Sequence, residues 1–271
     1  MVTRPPGIVV VKIGGRALEA PAAAGELAAE VKGLAAAGHP VLLIHGGGAE
    51  VSEWSARLGI TPRFHDGLRV SDPESLGVAV AVLAGLANKR LVARLRAAGL
   101  DAVGLAALDG GIASVVAHPD SATLGAVGAV ESVAPALLEM LLERGAVPVL
   151  ASIGARNGEL LNLNADDLAA AVAPAVRAHT LLLLSDTPGL KLDGALVPAL
   201  DTQGLDTALV HPDVQGGMAP KLRAARAALE AGVPRVVIAA WQGPGTLSKL
   251  LTGDAAGTIL TRTSAKEAAH G

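Results

Sequence analysis

Two apolar segments of this chain each run directly into a glycine-rich turn, and this feature constrains the fold most. Residues 8–13 lead into Gly14 and Gly15, and residues 41–44 lead into His45 and three consecutive glycines; helix-like sequence follows each turn. An uninterrupted apolar run of this length is typical of a strand buried in a parallel sheet. Glycine permits close approach of the backbone to a ligand, and N–H groups at the start of a helix bind anions. The two turns therefore predict a strongly anionic ligand that is held from more than one side.

The composition favours a large α/β fold and excludes several functions. The chain has 271 residues, of which 51% are hydrophobic and 17% charged, enough for one large domain or two lobes sharing a sheet. A net charge of −3 and an aromatic content of 1% argue against nucleic-acid binding. The absence of cysteine excludes disulfides and thiolate chemistry. Charges, glycines and prolines interrupt the apolar runs, and the N-terminus lacks a signal-peptide core. We therefore expect a cytoplasmic protein that neither spans nor binds a membrane.

Strand-like and helix-like segments alternate along the chain, which predicts a mostly parallel sheet with right-handed crossovers. The pairs Asp66-Gly67 and Asn157-Gly158 predict turns, the first of them a hairpin, and residues 112–133 predict irregular or antiparallel structure. The expected strands are 8–13, 41–44, 102–106, 147–151, 180–184, 235–239 and 257–260, and the expected helices are about 22–37, 49–58, 72–98, 135–144, 166–176 and 221–231.

Two lysines stand beside glycine pairs. Lys12 lies two residues before Gly14, at the end of the first strand. It is either a point charge for a polyphosphate or a strand-end lysine that reaches solvent. Lys221 follows a glycine pair at the start of a helix, where the positive end of the helix dipole disfavours a cation, so a functional role deserves weight. Together the two lysines would bracket a transferring phosphoryl group. The first glycine turn matches neither a P-loop nor a dinucleotide-binding fingerprint.

Other polar residues allow both a functional and a structural interpretation. Arg69, just after the hairpin turn, would either clamp a substrate carboxylate or be solvated. Asn162, Asn164 and Asp166 are alternate residues at a strand-to-helix junction. Asn164 would cap the helix, but Asn162 has no obvious partner, so amides that bind a carboxylate or an amide are an equal possibility. Asp166 would either match the helix dipole or orient two lysines. We expect His45 to be a structural histidine rather than a base.

The ordered set of these segments resembles the amino acid kinase family and, within it, the members that phosphorylate N-acetylglutamate. Each motif is weak alone, but the set is specific because it follows the family's order over nearly the whole chain. The resemblance implies a three-layer αβα sandwich with a central, mostly parallel sheet. It also implies two lobes, residues 1–176 for acceptor binding and dimerisation and residues 177–271 for ATP binding. The matching segments are 12–15, 45–48, 66–70, 87–89, 162–166, 184–189 and 216–221.

The resemblance implies that ATP phosphorylates the γ-carboxylate of N-acetyl-L-glutamate, a step of arginine biosynthesis. Lys12 and Lys221 would stabilise the transferring phosphoryl group, and Asp166 would organise both lysines. The Mg²⁺ ion would be held mostly by ATP oxygens and water, with no metal site of the protein's own. Acceptor binding would fall to Gly47, Gly48, Arg69, Asn162 and Asn164, and nucleotide binding to Gly14, Gly15, Ser185, Asp186, Pro188, Gly189, Leu190, Lys191, Asp213, Gln215 and Met218.

Two departures from the resembling sequences touch no residue with an implied role. Ala49 stands where many relatives carry proline, and the loop 192–194 is short. The first strand is expected almost at the N-terminus, which leaves no room for the extra N-terminal helix of arginine-inhibited, hexameric relatives. The resemblance therefore implies a homodimer without strong feedback by arginine.

Three other functions compete with this one. A related kinase acts on aminoadipate or glutamate attached to an acidic carrier protein, and it would want a basic rim. A non-catalytic nucleotide or amino-acid sensor could share the fold, although the presence of Lys12, Lys221 and Asp166 argues against it. A dinucleotide-dependent oxidoreductase would need a fingerprint that this sequence lacks.

Overall fold

The computed structural model describes residues 7–14 and 21–263, without the side chains of residues 21–23. Gly15, which the sequence predicts to contact the nucleotide, lies outside the described residues. The strands are β1 (Val9–Ile13), β2 (Val41–His45), β3 (Phe64–His65), β4 (Leu68–Arg69), β5 (Ala102–Ala106), β6 (Ala113–Ala117), β7 (Val127–Val133), β8 (Val147–Ala151), β9 (Ile153–Arg156), β10 (Glu159–Leu163), β11 (Thr180–Ser185), β12 (Lys191–Leu192), β13 (Ala195–Leu196), β14 (Ala199–Asp201), β15 (Arg235–Ala240) and β16 (Thr258–Thr261). The helices are α1 (Pro21–Ala36), α2 (Gly48–Arg57), α3 (Pro73–Ala97), α4 (Ser121–Leu124), α5 (Ala136–Glu143), α6 (Ala165–Ala175), α7 (Thr202–Leu209), α8 (Met218–Glu230) and α9 (Thr246–Thr252).

The central sheet has eight strands in the order β14-β16-β15-β11-β1-β2-β8-β5. Every neighbouring pair is parallel except β15 with β16. This arrangement confirms the predicted mostly parallel sheet. The strand β1 lies between β2 and β11, so the ends of all three strands meet at one edge of the sheet. Both glycine turns of the sequence follow strands of this edge.

Helices cover both faces of the central sheet. Alternate residues of a strand point to opposite faces, so each strand contributes side chains to the apolar core on either side. Val10 of β1 belongs to one apolar core together with Leu168 of α6 and Leu222 of α8. Val11 belongs to the core on the other face, where it joins Leu27 of α1. The three layers of the predicted αβα sandwich are therefore present.

The longest helix, α3, runs for 25 residues and contains a π-helical segment that the sequence does not predict. Asp72 caps its start, since its carboxylate accepts a hydrogen bond from the Ser75 N–H at 2.9 Å. The π segment, Ala81–Ala87, places Leu83 against the turn that follows β2. By length and composition alone α3 could cross a membrane, with a mean hydropathy of 1.6. The core helix of a soluble protein can meet the same criterion, so the expectation that the chain does not span a membrane stays a prediction.

The predicted turns are present, and smaller elements depart from the predictions. Asp66 and Gly67 take φ values of 47° and 81°, as a two-residue turn between β3 and β4 requires. Asn157 and Gly158 likewise join β9 to β10. The segment predicted to be irregular or antiparallel contains the antiparallel pair of β6 and β7. The strands β12 to β14 and the helices α7 and α9 are not predicted, because such short segments carry too little hydrophobic periodicity.

Candidate active site

The three residues predicted to be catalytic meet at one edge of the central sheet. Lys12 lies two residues after Val10 on β1, so its side chain points to the face covered by α6 and α8. Asp166 belongs to the first turn of α6 and Lys221 to the first turn of α8. The Lys12 ammonium lies 3.0 Å from Asp166 Oδ1, and the Lys221 ammonium lies 2.9 Å from Asp166 Oδ2. All three side chains are buried, which rules out a solvent-exposed Lys12.

The charges of this cluster do not balance, because one carboxylate faces two ammonium groups. Burial alone would raise the pKa of Asp166, but the charges of Lys12 and Lys221 outweigh it and hold that pKa below its ordinary value. Burial and the neighbouring Lys12 lower the pKa of Lys221, although Asp166 opposes the change. Removed from water, the excess positive charge favours an additional anion more strongly than it would at the surface.

Gly14 gives the Lys12 side chain the room that it needs. A Cβ at this position would lie 3.0 Å from the Lys12 ammonium nitrogen and 3.6 Å from the carbonyl oxygen of Leu184. Glycine therefore leaves space at the end of β1 for the ammonium group and for any anion that contacts it.

An open pocket of about 270 Å³ adjoins the cluster. Its walls are the turn after β2, the hairpin of β3 and β4, the middle of α3, and the junction between β10 and α6. Among the residues predicted from the sequence it is lined by Lys12, Gly14, Gly47, Gly48, Arg69, Asn162, Asn164 and Asp166; residues that were not predicted include Gly46, Phe64, Ala79, Leu83 and Ser152.

The turn after β2, residues 46–48, is called the glycine loop below. Gly47 has a φ of 156°, and a Cβ there would lie 2.9 Å from Leu83 Cδ2. Its position immediately before α2 places N–H groups at a helix start. The glycine loop can thus present backbone donors to the pocket.

Arg69 is buried and is held in place by several contacts. Its Nη2 donates to the carbonyl oxygen of Gly48 and to Ser52 Oγ, each at 2.7 Å. Its guanidinium carbon lies 4.8 Å from the centre of the Phe64 ring. The solvated alternative for Arg69 is therefore wrong. The sequence analysis does not include Phe64 among the site residues. It is the single phenylalanine of the chain and lies beside the predicted hairpin turn, and this position could have indicated a role in the site.

The two asparagines of the β10–α6 junction both line the pocket and both have partners. Asn164 Oδ1 accepts hydrogen bonds from the N–H groups of Asp166, at 2.8 Å, and Asp167, at 3.2 Å. Asn164 is thus the helix cap that one interpretation predicted. Asn162 Nδ2 donates to Ser71 Oγ at 3.2 Å, so the expectation that Asn162 has no partner is wrong.

Apart from Gly14 and Gly15, the residues predicted to bind the nucleotide lie in two other segments, which contact each other. The first segment follows β11 and the second leads into α8. The Asp193 N–H donates to Asp213 Oδ2 at 2.7 Å and thereby joins the two segments.

Two of the residues predicted to bind the nucleotide already have protein partners. Leu190 is buried in the core and its N–H donates to Thr258 Oγ1 at 2.8 Å, so its side chain is structural. Gln215 Nε2 donates to its neighbour, the Pro212 carbonyl, at 2.8 Å. The remaining predicted residues here are Ser185, Asp186, Pro188, Gly189, Lys191 and Met218.

Comparisons with known proteins agree with this geometry. Residues 7–240 match the model of the amino acid kinase family. The chain belongs to this family. It is 43% identical to the acetylglutamate kinase of Methanopyrus kandleri over 244 residues, 86% of this chain and 95% of that protein. It is 42% identical to that of Koribacter versatilis over 232 residues, 85% and 89% of the two. The solved structure of smu.665 from Streptococcus mutans, 29% identical, superposes with a TM-score of 0.80 over 94% of this chain and 99% of that one.

Within the described residues, one group of side chains has a spacing that could hold a metal ion. Asp193, His211 and Asp213 place ligand atoms within 4.8 Å of one another, beside the predicted nucleotide segments. The Asp213 N–H donates to His211 Nδ1 at 3.2 Å, and the contact of Asp193 with Asp213 is given above. These hydrogen bonds account for the arrangement without an ion, so we assign no metal to it.

We predict that Asp166→Ala lowers the free energy of unfolding by about 3–5 kcal/mol, because it leaves two buried ammonium groups without a counter-charge. Chemical denaturation followed by circular dichroism measures this change. The control is Asp101→Ala, which breaks an exposed ion pair with Arg96 and should cost at most about 1 kcal/mol. Equal losses in the two variants would contradict the predicted role of the buried charge.

Proposed function

We propose that this chain transfers the γ-phosphoryl group of ATP to the γ-carboxylate of N-acetyl-L-glutamate. The product would be N-acetyl-L-glutamyl 5-phosphate, and the reaction would be the second step of arginine biosynthesis. The observation that carries this proposal is the buried pair of ammonium groups, Lys12 and Lys221, beside a pocket that also contains Arg69. The acetylglutamate kinases at 43% and 42% identity support the choice of substrate.

The chemistry requires little more than charge and position. The acceptor carboxylate is ionised at neutral pH, so no side chain has to remove a proton from it. One of its oxygens forms a bond to the γ-phosphorus, the bond from that phosphorus to the β–γ bridging oxygen breaks, and ADP leaves. Lys12 and Lys221 stabilise the charge on the oxygens of the moving group, and Asp166 keeps the two lysines together.

Arg69 is well placed to bind the α-carboxylate of the acceptor. A guanidinium group has five N–H donors, and within the described part of the chain the contacts of Arg69 with protein oxygens involve Nη2. The Nε and Nη1 donors can therefore pair with a carboxylate. The N–H groups of Gly47 and Gly48 and the amides of Asn162 and Asn164 would complete the acceptor site.

ATP would bind in the segments 185–191 and 213–218, with its phosphates at Gly14 and Gly15. Both oxygens of Asp166 already contact ammonium groups, so this carboxylate is a poor ligand for Mg²⁺. The metal ion would instead arrive on the ATP oxygens with its waters. Residues 1–176 would thus form the lobe that binds the acceptor and residues 177–271 the lobe that binds ATP, in a cytoplasmic enzyme.

We predict that the purified chain releases ADP from MgATP when N-acetyl-L-glutamate is added, which a coupled assay measures. Unacetylated L-glutamate serves as the matched control substrate, and glutamate or aminoadipate on an acidic carrier protein tests the related kinase activity. ADP release that does not depend on N-acetyl-L-glutamate, or that is faster with the carrier-linked compounds, would contradict the proposal.

We predict different kinetic effects for two cationic side chains of the candidate active site, Lys221 and Arg69. Lys221→Ala should lower kcat by roughly a hundredfold or more and change the KM values little, because its contact strengthens in the transition state. Arg69→Ala should raise the KM of the acceptor by roughly tenfold or more, because it removes binding to an unreactive group. The controls are Lys249→Ala and Arg63→Ala, which remove an exposed lysine and an exposed arginine that pairs with Asp72. Both should leave kcat and KM close to the wild-type values. Equal effects on both parameters in both variants would count against these roles.

We propose that two copies of the chain pair through α3. In the most apolar stretch of this helix only 39% is buried within one copy of the chain, and Leu86 of its π segment is 45% exposed. A second copy would cover this apolar face.

We predict that light scattering gives a dimer mass for the wild type and a monomer mass for Leu86→Glu, because a charge in the contact is costly to bury. Leu58→Glu, at an exposed leucine outside α3, is the control and should leave the dimer intact. A wild-type monomer, or a Leu86→Glu variant that remains dimeric, would refute this pairing.

A further inference from the structure

A buried hydrogen-bond network lies behind the glycine loop. His45, the last residue of β2, and Asn88 of α3 both have 0% exposure. His45 Nδ1 lies 2.9 Å from the carbonyl oxygen of Gly46, and His45 Nε2 lies 3.1 Å from Asn88 Nδ2. Asn88 Nδ2 also donates to the carbonyl oxygens of Val149, at 2.9 Å, and Leu105, at 3.3 Å, and Asn88 Oδ1 accepts from the Lys89 ammonium at 3.1 Å.

The partners of this network determine where the histidine proton lies. A carbonyl oxygen only accepts hydrogen bonds, so His45 Nδ1 must carry the proton and Nε2 must accept. The Lys89 ammonium only donates, so the oxygen of the Asn88 amide faces it and the nitrogen faces the ring. Burial lowers the pKa of His45 to about 4, so the ring is neutral near pH 7. The network therefore holds one ring tautomer.

The same contact orients the next peptide group. The Gly46 carbonyl and the Gly47 N–H belong to one planar, trans peptide, so they point in opposite directions. The Gly46 carbonyl points at the buried His45 ring, which leaves the Gly47 N–H directed away from the ring. The pocket is lined by the glycine loop but not by His45. Within the part of the chain that the structure describes, the Gly47 N–H has no hydrogen-bond acceptor.

We propose that His45 and Asn88 are positioning residues that hold the Gly47 N–H ready to donate to an oxygen of the acceptor. This inference rests on the proposed function, since it takes the ligand of the pocket to be the anionic acceptor. Neither side chain touches the acceptor, and both act through the Gly46–Gly47 peptide. A donor fixed before the ligand arrives costs no reorganisation on binding.

The strand β5, which is separated from β2 by β8, leaves room for this network by means of a glycine. A Cβ at Gly104 of β5 would collide with Asn88 Oδ1, and it would lie 2.8 Å from Val92 Cγ2 and 3.0 Å from the Lys89 ammonium nitrogen. Only a residue without a side chain therefore allows the Asn88 amide to reach His45 at this point of the sheet.

The test compares two amide replacements of the histidine. The amide nitrogen of His45→Asn can take the place of Nδ1 and donate to Gly46, whereas the longer side chain of His45→Gln reaches the place of Nε2 and keeps only the contact with Asn88. We expect His45→Gln to lower kcat/KM for N-acetyl-L-glutamate by roughly tenfold to a hundredfold, with the KM of ATP unchanged. His45→Asn should stay within about threefold of the wild type, although glutamine is closer to histidine in size.

Two results would overturn the proposal. One is a His45→Asn variant that loses as much kcat/KM as His45→Gln, and the other is an equal loss for the acceptor and for ATP. If neither variant folds, long-range ¹H–¹⁵N spectra of the histidine-labelled wild type decide. The histidine that does not titrate down to about pH 5 should carry its proton on Nδ1, and a proton on Nε2 would refute the inference. If the wild type does not use N-acetyl-L-glutamate, the proposed function fails, while these spectra still test the His45 tautomer.

Discussion

The contact of one buried carboxylate with two ammonium groups is the interaction on which the rest of the site depends. Asp166 lies within 3.0 Å of both Lys12 and Lys221, and these residues are supplied by a central strand and two helices. Without the carboxylate the two lysines would repel each other in a region poor in water. With it, a single excess positive charge remains, fixed in place before any phosphate arrives. Such a preformed charge suits a reaction whose transition state is mainly an anion in need of neutralisation.

The central sheet explains why these residues meet. The strand β1 lies between β2 and β11, so its end adjoins the ends of both neighbours. Strand alternation sends Lys12 to the face of α6 and α8, the two helices that begin with Asp166 and Lys221. The glycine loop follows β2 at the same edge, and one predicted nucleotide segment follows β11. An acceptor and a nucleotide can therefore approach the lysines from the two sides of β1.

The sequence predicts those features of the site that depend on local pattern. The position of Lys12 at the end of a buried strand follows from the uninterrupted apolar run of β1, and the cap formed by Asn164 follows from the residue preference of a helix start. The partner of Asn162 could not be found in this way, because Ser71 is 91 residues away along the chain. The burial of Arg69 against Phe64 and the π segment of α3 likewise depend on packing between distant elements. Periodicity identifies which face of an element is apolar, but not which side chain that face meets.

Three glycines around the site share a role that their sequence context alone does not reveal. A Cβ at Gly14 would crowd the Lys12 ammonium, a Cβ at Gly47 would crowd Leu83, and a Cβ at Gly104 would collide with the Asn88 amide. In the first and third cases the missing side chain makes room for a polar group at a strand of the central sheet. Glycine there costs backbone entropy on folding, so the surrounding apolar core has to offset that cost. The large buried core on both faces of the sheet is thus what allows this edge to hold charged and amide groups close to bare backbone.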